Sequence, residues 1–290
     1  MLPWFTKRGS KEFKKMIDPV FARNPKEAER LSQKHLAVIG CGSGGSALAA
    51  MAARSGVGRF TLVDPDVLAL ENVGRHMLSR TDVGKPKVLG LKHVIEEVNP
   101  SAEVEAICGK FDSLARKPEV LVAATDSFAC ESAINDYSLR EGVPAVYGGC
   151  WGEASVGEIL YVVPGRTPCY ECYAGFRRST VEILPDLRKY TDPEFDSTKI
   201  PGQAGLWANI LIITGVMFQV VLGLLDPESD RTQLIDFEHT LFLVNVSKYD
   251  SNLQPLAVTF GKVKKGCAVC DESLLGELGK NLQPGPLASL

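Results

Sequence analysis

Apolar residues form short blocks along the first half of the chain, separated by stretches with helical spacing. The blocks at 35–39 and 59–64 each have the length of a buried strand. Between them, residues 46–56 form an alanine-rich run with high helix propensity, and Gly56 lies where a helix C-cap is expected. The pattern predicts a strand, a helix and a second strand, which is the order of a βαβ unit.

The same alternation continues to residue 148. Residues 88–98 have apolar positions at helical spacing and end at Asn99-Pro100, a strong helix stop. Further elements are predicted as strands at 104–107, 120–124 and 144–148, with a helix from near Ser127 to Glu141-Gly142. Because buried parallel strands are continuous apolar runs, as 120–124 is, we predict an α/β fold. Its core is a Rossmann-like, mostly parallel twisted sheet flanked by helices.

The pattern changes after Trp151. Residues 153–163 alternate in part between apolar and polar positions and predict an antiparallel C-terminal extension of the sheet. Two later segments, 232–237 and 240–246, predict a closing hairpin. The stretch 177–203 is charged, contains prolines and lacks periodicity, which indicates either a crossover loop over the ligand site or a plain surface linker.

One apolar segment, 204–225, is long enough to span a bilayer. Asn209 and Gln219 interrupt it, and Asp226 and Glu228 follow it, so a buried helix is favoured over a membrane span. The first residues have no apolar core long enough for a secretory signal, and we expect a cytoplasmic protein. A formal charge of −3 and a pI near 5.9 give no electrostatic case for nucleic acid as the main partner.

A glycine-rich turn follows the first predicted strand. Gly40 permits a tight exit from the strand, Gly42 lets backbone N–H groups approach a phosphate, and Gly45 lets the helix pack closely on the sheet. Asp64 ends the second strand nineteen residues after Gly45, near the spacing of a carboxylate that binds ribose hydroxyls. The set predicts a mononucleotide or dinucleotide site, and a purely structural glycine turn is the alternative.

Charged residues downstream of this turn favour a triphosphate. Besides Asp64, the segment contains a second carboxylate, an amide, an arginine and two lysines: Asp66, Asn72, Arg75, Lys85 and Lys87. Such groups stabilise the charge that develops when a phosphoanhydride breaks, whereas NAD binding does not need them. The alternatives are a surface salt bridge for Arg75 and a simple helix-start lysine for Lys87.

Asp126 directly follows the apolar run 120–124. A carboxylate at the C-terminal end of a parallel strand lies where α/β sheets bind ligands. The structural alternative is an N-cap on the helix that begins near Ser127, and the two roles are compatible.

The chain has eight cysteines, and four of them form two Cys-x-x-Cys pairs. Cys169 with Cys172, and Cys267 with Cys270, can present four thiolates to one ion, which matches the tetrahedral preference of structural zinc. A zinc ion there would fasten the C-terminal end of the chain to its body. Redox pairs and incidental spacing are the alternatives.

The other cysteines, Cys41, Cys108, Cys130 and Cys150, are expected as small core residues. Cys150 is kept as a candidate for a covalent acceptor.

The ordered combination of motifs resembles the ThiF-type adenylyltransferases. This family includes the molybdopterin-synthase and thiazole-synthesis activators and the adenylation domains of ubiquitin-activating enzymes. The resemblance covers about residues 30 to 270, and the matching positions are Gly40, Gly42, Gly45, Asp64, Asp66, Asn72, Arg75, Gly84, Lys87, Thr125 and Asp126, with the paired cysteines in support.

The resemblance implies roles for these residues. Mg·ATP is expected with its phosphates over the turn 40–45 and its ribose on Asp64, and Asp126 is expected to bind Mg²⁺. Arg75 and Lys87 are then expected to stabilise charge on the phosphates. His76 occupies a position where members of the family often have glutamine.

The resemblance also implies a reaction and partners. The C-terminal glycine carboxylate of a ubiquitin-like or sulfur-carrier protein is expected to attack the α-phosphorus of ATP, giving an acyl-adenylate and pyrophosphate. No cysteine lies between Cys172 and Cys267, where thioester-forming or persulfide-forming relatives have theirs, and this favours adenylation alone. A homodimer is implied, with the helix in 204–225 near its interface and an N-terminal arginine, Arg23 or Arg30, reaching the partner's ATP.

Three regions follow from this interpretation: an N-terminal arm at 1–34, expected to be solvated, an adenylation domain at 35–270, and a C-terminal tail at 271–290. Two rival functions stay open. One is the same fold acting on a peptide terminus or a tRNA base, and the other is an NAD-dependent Rossmann oxidoreductase, which leaves Arg75, Lys87 and the paired cysteines unexplained.

Overall fold

The computed structural model describes residues 19–151, 153–174, 205–237, 239–246, 256–258, 267 and 269–270. These residues form an eight-stranded sheet in the order β3-β2-β1-β4-β5-β6-β7-β8. The strands are β1 His35–Ile39, β2 Arg59–Val63, β3 Glu103–Ile107, β4 Val120–Ala123, β5 Ala145–Trp151, β6 Val156–Val162, β7 Leu241–Asn245 and β8 Leu256–Val258. The predicted loop at 177–203 and tail at 271–290 lie outside the described residues.

Helices cover both faces of this sheet. The α-helices whose full bounds lie in the described residues are α1 Glu27–Leu31, α2 Ser43–Arg54, α3 Lys87–Val98, α4 Phe128–Glu141 and α5 Trp207–Leu225. Short 3-10 helices lie at Pro19–Phe21, Leu70–Arg75, Arg80–Asp82 and Asp230–Leu234. Two hydrophobic clusters, one on each side of the sheet, form the core.

The first five strands of the sheet order, β3-β2-β1-β4-β5, are parallel. Every residue of β1 and β4 is buried, as expected for central strands covered on both faces. Because the strands are parallel, the segments that follow β1, β2 and β4 emerge at one edge of the sheet. The predicted mostly parallel α/β core is confirmed.

The antiparallel extension is also confirmed, with a later start than predicted. β6 begins at Val156 and pairs antiparallel with β5, and β7 and β8 continue the sheet antiparallel. Glu153 and Ala154 have φ of 58° and 61°, so they form the turn of the β5–β6 hairpin rather than its second strand.

The strand predicted at 232–237 is wrong. Residues 230–234 form a 3-10 helix whose first turn is capped by the Ser229 hydroxyl. Arg231 donates to Glu27 of α1 and to Gln219 of α5, both at 2.6 Å, and these contacts hold the segment against the helices. β7 therefore pairs with β6 and β8, and no hairpin joins it to residues 232–237.

α5 is the segment that has the length and apolarity of a membrane span. In the described residues it is the one helix that passes this test, and 61% of its apolar window is buried. Gly157 lets it approach the sheet, since a Cβ there would lie 2.3 Å from the Ile213 side chain. Gly148 has the same function beside Met217, at 2.5 Å. The predicted buried helix is confirmed.

The described part of the predicted N-terminal arm, from Pro19 onward, is not solvated as a whole. Ala28 and Leu31 of α1 are buried in the core. Arg30 binds both carboxylate oxygens of Asp226 at the end of α5, with distances of 2.6–3.0 Å. These contacts fasten α1 to the C-terminal end of α5.

Candidate functional site

The candidate site lies where the parallel strands end. Gly40 follows β1, Asp64 follows β2 and Asp126 comes three residues after the end of β4. β1 is hydrogen-bonded to both β2 and β4, so these three strand ends are neighbours. The topology thus brings together residues that lie up to 86 positions apart in the chain.

The turn between β1 and α2 requires glycine at two positions. Gly40 has φ of +89°, and a Cβ there would lie 2.3 Å from the carbonyl oxygen of Ala124. A Cβ at Gly45 would lie 1.9 Å from the carbonyl oxygen of Gly40. A Cβ at Gly42 would meet no atom within 4 Å, so the outer side of the turn is open. The geometry matches a turn that packs tightly inward and presents backbone outward.

The open side of this turn is the N-terminus of α2. The helix begins at Ser43, three residues before the predicted start, with Gly42 as an N-cap that supplies no side-chain acceptor. N–H groups of the first helical turn have no intrahelical partner, and the helix dipole is positive at this end. The twelve-residue helix therefore presents a site suited to an anion such as phosphate.

Asp64 is buried beneath the turn, with 5% of its surface exposed. One carboxylate oxygen accepts from the Cys41 N–H at 2.6 Å and the other from the Asp66 N–H at 2.8 Å. Burial raises the pKa of Asp64, while the Lys87 charge and the two N–H donors oppose the rise. Each carboxylate oxygen can accept a second hydrogen bond, so Asp64 can hold the turn and bind ribose hydroxyls together.

Two cationic side chains flank the turn. Lys87, the first residue of α3, lies with its Nζ 2.7 Å from Asp66 Oδ2, and 11% of its side chain is exposed. Arg75 donates from Nη1 to the Ser43 hydroxyl at 2.9 Å, so its guanidinium lies at the start of α2. The described partner of Arg75 is thus a hydroxyl of the site and not the carboxylate of a surface salt bridge.

The remaining predicted residues have distinct positions. Asn72 accepts from the Ala69 N–H at 3.2 Å and organises the 3-10 helix that carries Arg75. Asp126 is exposed, and the N-cap of α4 is Ser127, whose hydroxyl accepts from the Cys130 N–H. The N-cap alternative for Asp126 is therefore wrong, which leaves its carboxylate available to a ligand.

Sequence reasoning assigned no structural role to His76. Its side chain is buried, with Nε2 2.8 Å from the Cys41 carbonyl oxygen. The Leu78 N–H donates to Nδ1 at 3.0 Å. Burial lowers the pKa of His76. The sequence signals were its position directly after Arg75 and the glutamine that the resembled family often has there.

The paired cysteines meet as one four-cysteine cluster. The Sγ atoms of Cys169, Cys172, Cys267 and Cys270 all lie within 4.8 Å of one another, with pairs at 3.9, 3.9 and 3.3 Å. Tetrahedral Zn–S bonds of about 2.3 Å place sulfurs about 3.8 Å apart, so this donor set fits zinc. The separations exceed the length of a disulfide bond, and all four cysteines are free. The predicted four-cysteine site can hold a zinc ion.

Three of the other four cysteines, Cys41, Cys130 and Cys150, do not have the character of nucleophiles. Cys108 and Cys150 are exposed, so the prediction of a core position is wrong for these two residues. Local desolvation of the thiol raises the pKa of Cys150 to about 11 even though part of the residue is exposed, and burial raises the pKa values of Cys41 and Cys130 as well. A thiol with a raised pKa is mostly protonated at neutral pH and therefore reacts slowly. The candidacy of Cys150 as a covalent acceptor gains no support from these surroundings.

The two N-terminal arginines differ. Arg30 is engaged with Asp226 within the same chain, and this ion pair raises its pKa. Arg23 is exposed. Both arginines were candidates for reaching a partner's nucleotide. Arg30 is held by its ion pair with Asp226, whereas Arg23 has no such bond to Asp226.

Comparison with known proteins gives matches to one family. The model of the ThiF family matches residues 16–261. The chain is 32% identical over 156 residues to the sulfur carrier protein ThiS adenylyltransferase of Bacillus subtilis, covering 51% of this chain and 46% of that protein. It is 28% identical over 162 residues to ubiquitin-like modifier-activating enzyme 5 of Caenorhabditis elegans, covering 50% and 39%. The matches thus span about half the length of these curated relatives.

Solved structures share the fold. The structure of Escherichia coli MccB with ATP has a TM-score of 0.65 and 19% identity, and the alignment covers 84% of this chain and 68% of that one. PaaA has a TM-score of 0.61 and 20% identity, covering 80% and 75%. At these identities the likeness shows the fold.

Proposed function

This chain belongs to the ThiF family, and we propose that it is an ATP-dependent adenylyltransferase that activates the C-terminal carboxylate of a ubiquitin-like or sulfur-carrier protein. The products are an acyl-adenylate and pyrophosphate. The names of two relatives, an adenylyltransferase of a sulfur carrier and an activating enzyme of a ubiquitin-like modifier, support this acceptor class.

One arrangement carries the proposal. The open N-terminus of α2 lies beside two cations. Arg75 binds the hydroxyl of Ser43, the first residue of α2, and Lys87 lies on the other side of the glycine turn. The carboxylate of Asp64 is buried beneath the turn. A carboxylate that binds ribose hydroxyls, such as Asp64, would be sufficient for a dinucleotide. Two cations next to a helix N-terminus fit a group with more negative charge, which is the triphosphate of ATP.

The chemistry needs few protein groups. The acceptor carboxylate is ionised at neutral pH, so it is already a nucleophile and no general base is required. Its oxygen forms a bond to the α-phosphorus as the bond from that phosphorus to the β-bridging oxygen breaks. The electron pair leaves with pyrophosphate, and Arg75 and Lys87 stabilise the negative charge that accumulates there.

Two metals belong to this proposal. Asp126, exposed at the end of β4, would bind the Mg²⁺ that accompanies ATP and neutralises part of its phosphate charge. The four-cysteine cluster would hold a structural zinc ion, because its four thiolates leave no coordination position for substrate.

A homodimer is part of the proposal as well. The outward face of the first half of α5 and the residue before it expose apolar side chains, with Leu206, Leu211 and Ile212 at 66%, 38% and 38% exposure. Burying such side chains against a second copy is favourable. Sedimentation of the purified protein tests this part, since a monomer at all concentrations would contradict it.

Nucleotide choice is tested by thermal unfolding. A ligand at about a hundred times its Kd stabilises the folded protein by about 2.7 kcal/mol. We expect Mg·ATP to raise the Tm and NAD to leave it unchanged. A shift with NAD alone would contradict the proposal and favour an oxidoreductase.

Acceptor choice is tested by product formation. We expect pyrophosphate release and an AMP adduct on a small sulfur-carrier protein that ends in Gly-Gly. A peptide terminus is the second candidate acceptor. The fold is shared with MccB, whose structure has been solved in complex with N-formylated MccA. If the AMP adduct forms on peptides and not on carrier proteins, the carrier-protein acceptor is refuted and the peptide acceptor is favoured.

A further inference from the structure

The backbone of Cys41, in the middle of the glycine turn, is held on both sides of its Cα by buried titratable groups. Its N–H donates to Asp64 Oδ2 at 2.6 Å, and its carbonyl oxygen lies 2.8 Å from His76 Nε2. Cys41 is fully buried, and the next residue, Gly42, is the N-cap of α2. The two hydrogen bonds therefore fix the peptide planes before and after Cys41, and with them the direction in which the chain enters the helix.

The neighbours of His76 determine which ring nitrogen carries the proton. The Leu78 N–H donates to Nδ1 at 3.0 Å, so Nδ1 must be unprotonated. Nε2 then carries the hydrogen and donates to the Cys41 carbonyl oxygen. In an imidazolium ring, Nδ1–H would point at the Leu78 N–H, and two donors would face each other.

The charges around the ring favour the neutral form. His76 has 7% of its surface exposed, and burial is the main reason for its lowered pKa. The hydrogen bond to Cys41 opposes this fall in pKa. The charges of Lys87 on α3 and of Arg75 lower the pKa further, whereas Asp82 raises it. Asp64 binds the N–H of the same residue, Cys41, whose carbonyl oxygen the ring contacts.

We propose that His76, as the neutral Nε2–H tautomer, is a positioning residue that holds the glycine turn in its nucleotide-binding conformation. The inference rests on the proposed function, because it assigns the nucleotide to this turn. It adds a residue that touches neither phosphate nor ribose and acts through the Cys41 carbonyl. Protonation keeps the Nε2–H donor but turns Nδ1 into a second donor that opposes the Leu78 N–H, which displaces the ring from the Cys41 carbonyl oxygen. Its consequence is that nucleotide affinity falls when His76 is protonated.

Two substitutions separate the two hydrogen bonds of the ring. In His76→Gln, a terminal NH₂ can still reach the Cys41 carbonyl oxygen, and the side chain does not titrate. In His76→Asn, an oxygen can still accept from the Leu78 N–H, but no atom reaches Cys41. His93→Gln is the matched control, because His93 lies exposed on α3 and pairs with Glu97.

The measurement is the Kd of Mg·ATP, by titration calorimetry, for these four proteins at about pH 7.5 and about pH 4.5, the lower value being chosen because burial lowers the pKa of His76. At the higher pH we expect H76N to bind about tenfold more weakly than wild type, as for a buried carbonyl left without its donor. H76Q and H93Q should bind within about twofold of wild type. Between the two pH values, wild type and H93Q should lose about two- to fivefold more affinity than H76Q. Titration of ATP and of Asp64 occurs in all four proteins and cancels in this comparison.

Nitrogen NMR of the imidazole provides a readout that does not depend on nucleotide. The expected result is a neutral Nε2–H ring at neutral pH. A ring protonated on Nδ1, or H76N and H76Q that bind ATP with the affinity and pH profile of wild type, would overturn the inference. Absence of ATP binding by the wild type would refute the proposed function itself, and with it any role of His76 toward a nucleotide.

Discussion

Replacing Lys87 by Met separates the catalytic from the structural contribution of this residue. The methionine keeps most of the apolar stem, and the change removes a charge whose Nζ lies 2.7 Å from Asp66 Oδ2. Asp66 has a side chain that is 64% exposed, so water can replace the ammonium group around it. Lys87 also favours the ionised form of Asp64, and its loss should raise the pKa of Asp64 further.

The expected magnitudes differ strongly. An ion pair with one well-exposed partner contributes about 0–1 kcal/mol to stability. For a chain of this size, 1 kcal/mol corresponds to a change in Tm of about 2–4 °C or less. A cation that stabilises charge in the transition state is worth about 100- to 1,000-fold in kcat. We therefore expect Lys87→Met to retain its fold and to lose pyrophosphate release by at least about 100-fold.

The assay is pyrophosphate release with saturating ATP and carboxylate acceptor, together with a thermal melt of the same preparation. Lys92→Met is the matched control, because Lys92 lies on the same helix, has a side chain that is 37% exposed and pairs with Glu96. The control should keep wild-type activity. If Lys87→Met releases pyrophosphate within about threefold of wild type, the role of Lys87 as a charge-stabilising residue is refuted.

Three further predictions concern the fold and its metal. Cys172→Ser should lower the zinc content from about one ion per chain, measured by elemental analysis, and should lower the Tm, whereas Cys108→Ser, at an exposed cysteine outside the cluster, should change neither; unchanged metal content in both variants would contradict the four-cysteine site. Arg30→Ala leaves the buried carboxylate of Asp226 without its cation. Because Arg30 itself is one-third exposed, we expect the free energy of unfolding, measured with denaturant, to fall by about 1–3 kcal/mol. Arg23→Ala is the control and should lower it by less than about 0.5 kcal/mol. Gly157→Ala should cost about 1–3 kcal/mol, since its Cβ would lie 2.3 Å from Ile213, whereas Gly215→Ala on α5 meets no atom within 4 Å and should be neutral or stabilising; equal stability of the two variants would refute the packing argument.

Much of the parallel core could be predicted because its determinants are local. The strand at 35–39 was predicted to the residue, and the requirement for Gly40 and Gly45 follows from steric contacts within one turn and its neighbouring strand. The start of α2 was predicted three residues late, because Ser43, Gly44 and Gly45 have little helix propensity and are held by the turn instead. Periodicity therefore located the helix but not its first turn.

Contacts between distant segments could not be predicted from local pattern. Residues 232–237 have the apolar pattern of a strand, but part of this segment is wound into a 3-10 helix by Arg231, which binds Glu27 204 residues earlier. His76 and Cys41 are 35 residues apart, and their residue types do not predict the hydrogen bond between them. The zinc cluster is the exception. Its pairs are 98 residues apart, yet metal chemistry makes two Cys-x-x-Cys spacings informative at any separation.

The most direct test of the adenylyltransferase proposal is the exchange of labelled pyrophosphate into ATP. Exchange requires reversible formation of an acyl-adenylate. It therefore reports directly on the bond between the acceptor carboxylate and the α-phosphorus of ATP. We predict exchange that depends on a carrier protein ending in Gly-Gly and that disappears when its terminal glycine is removed or when Arg75 is replaced by alanine. Absence of exchange with every carboxylate acceptor, by a protein that binds Mg·ATP, would contradict the account.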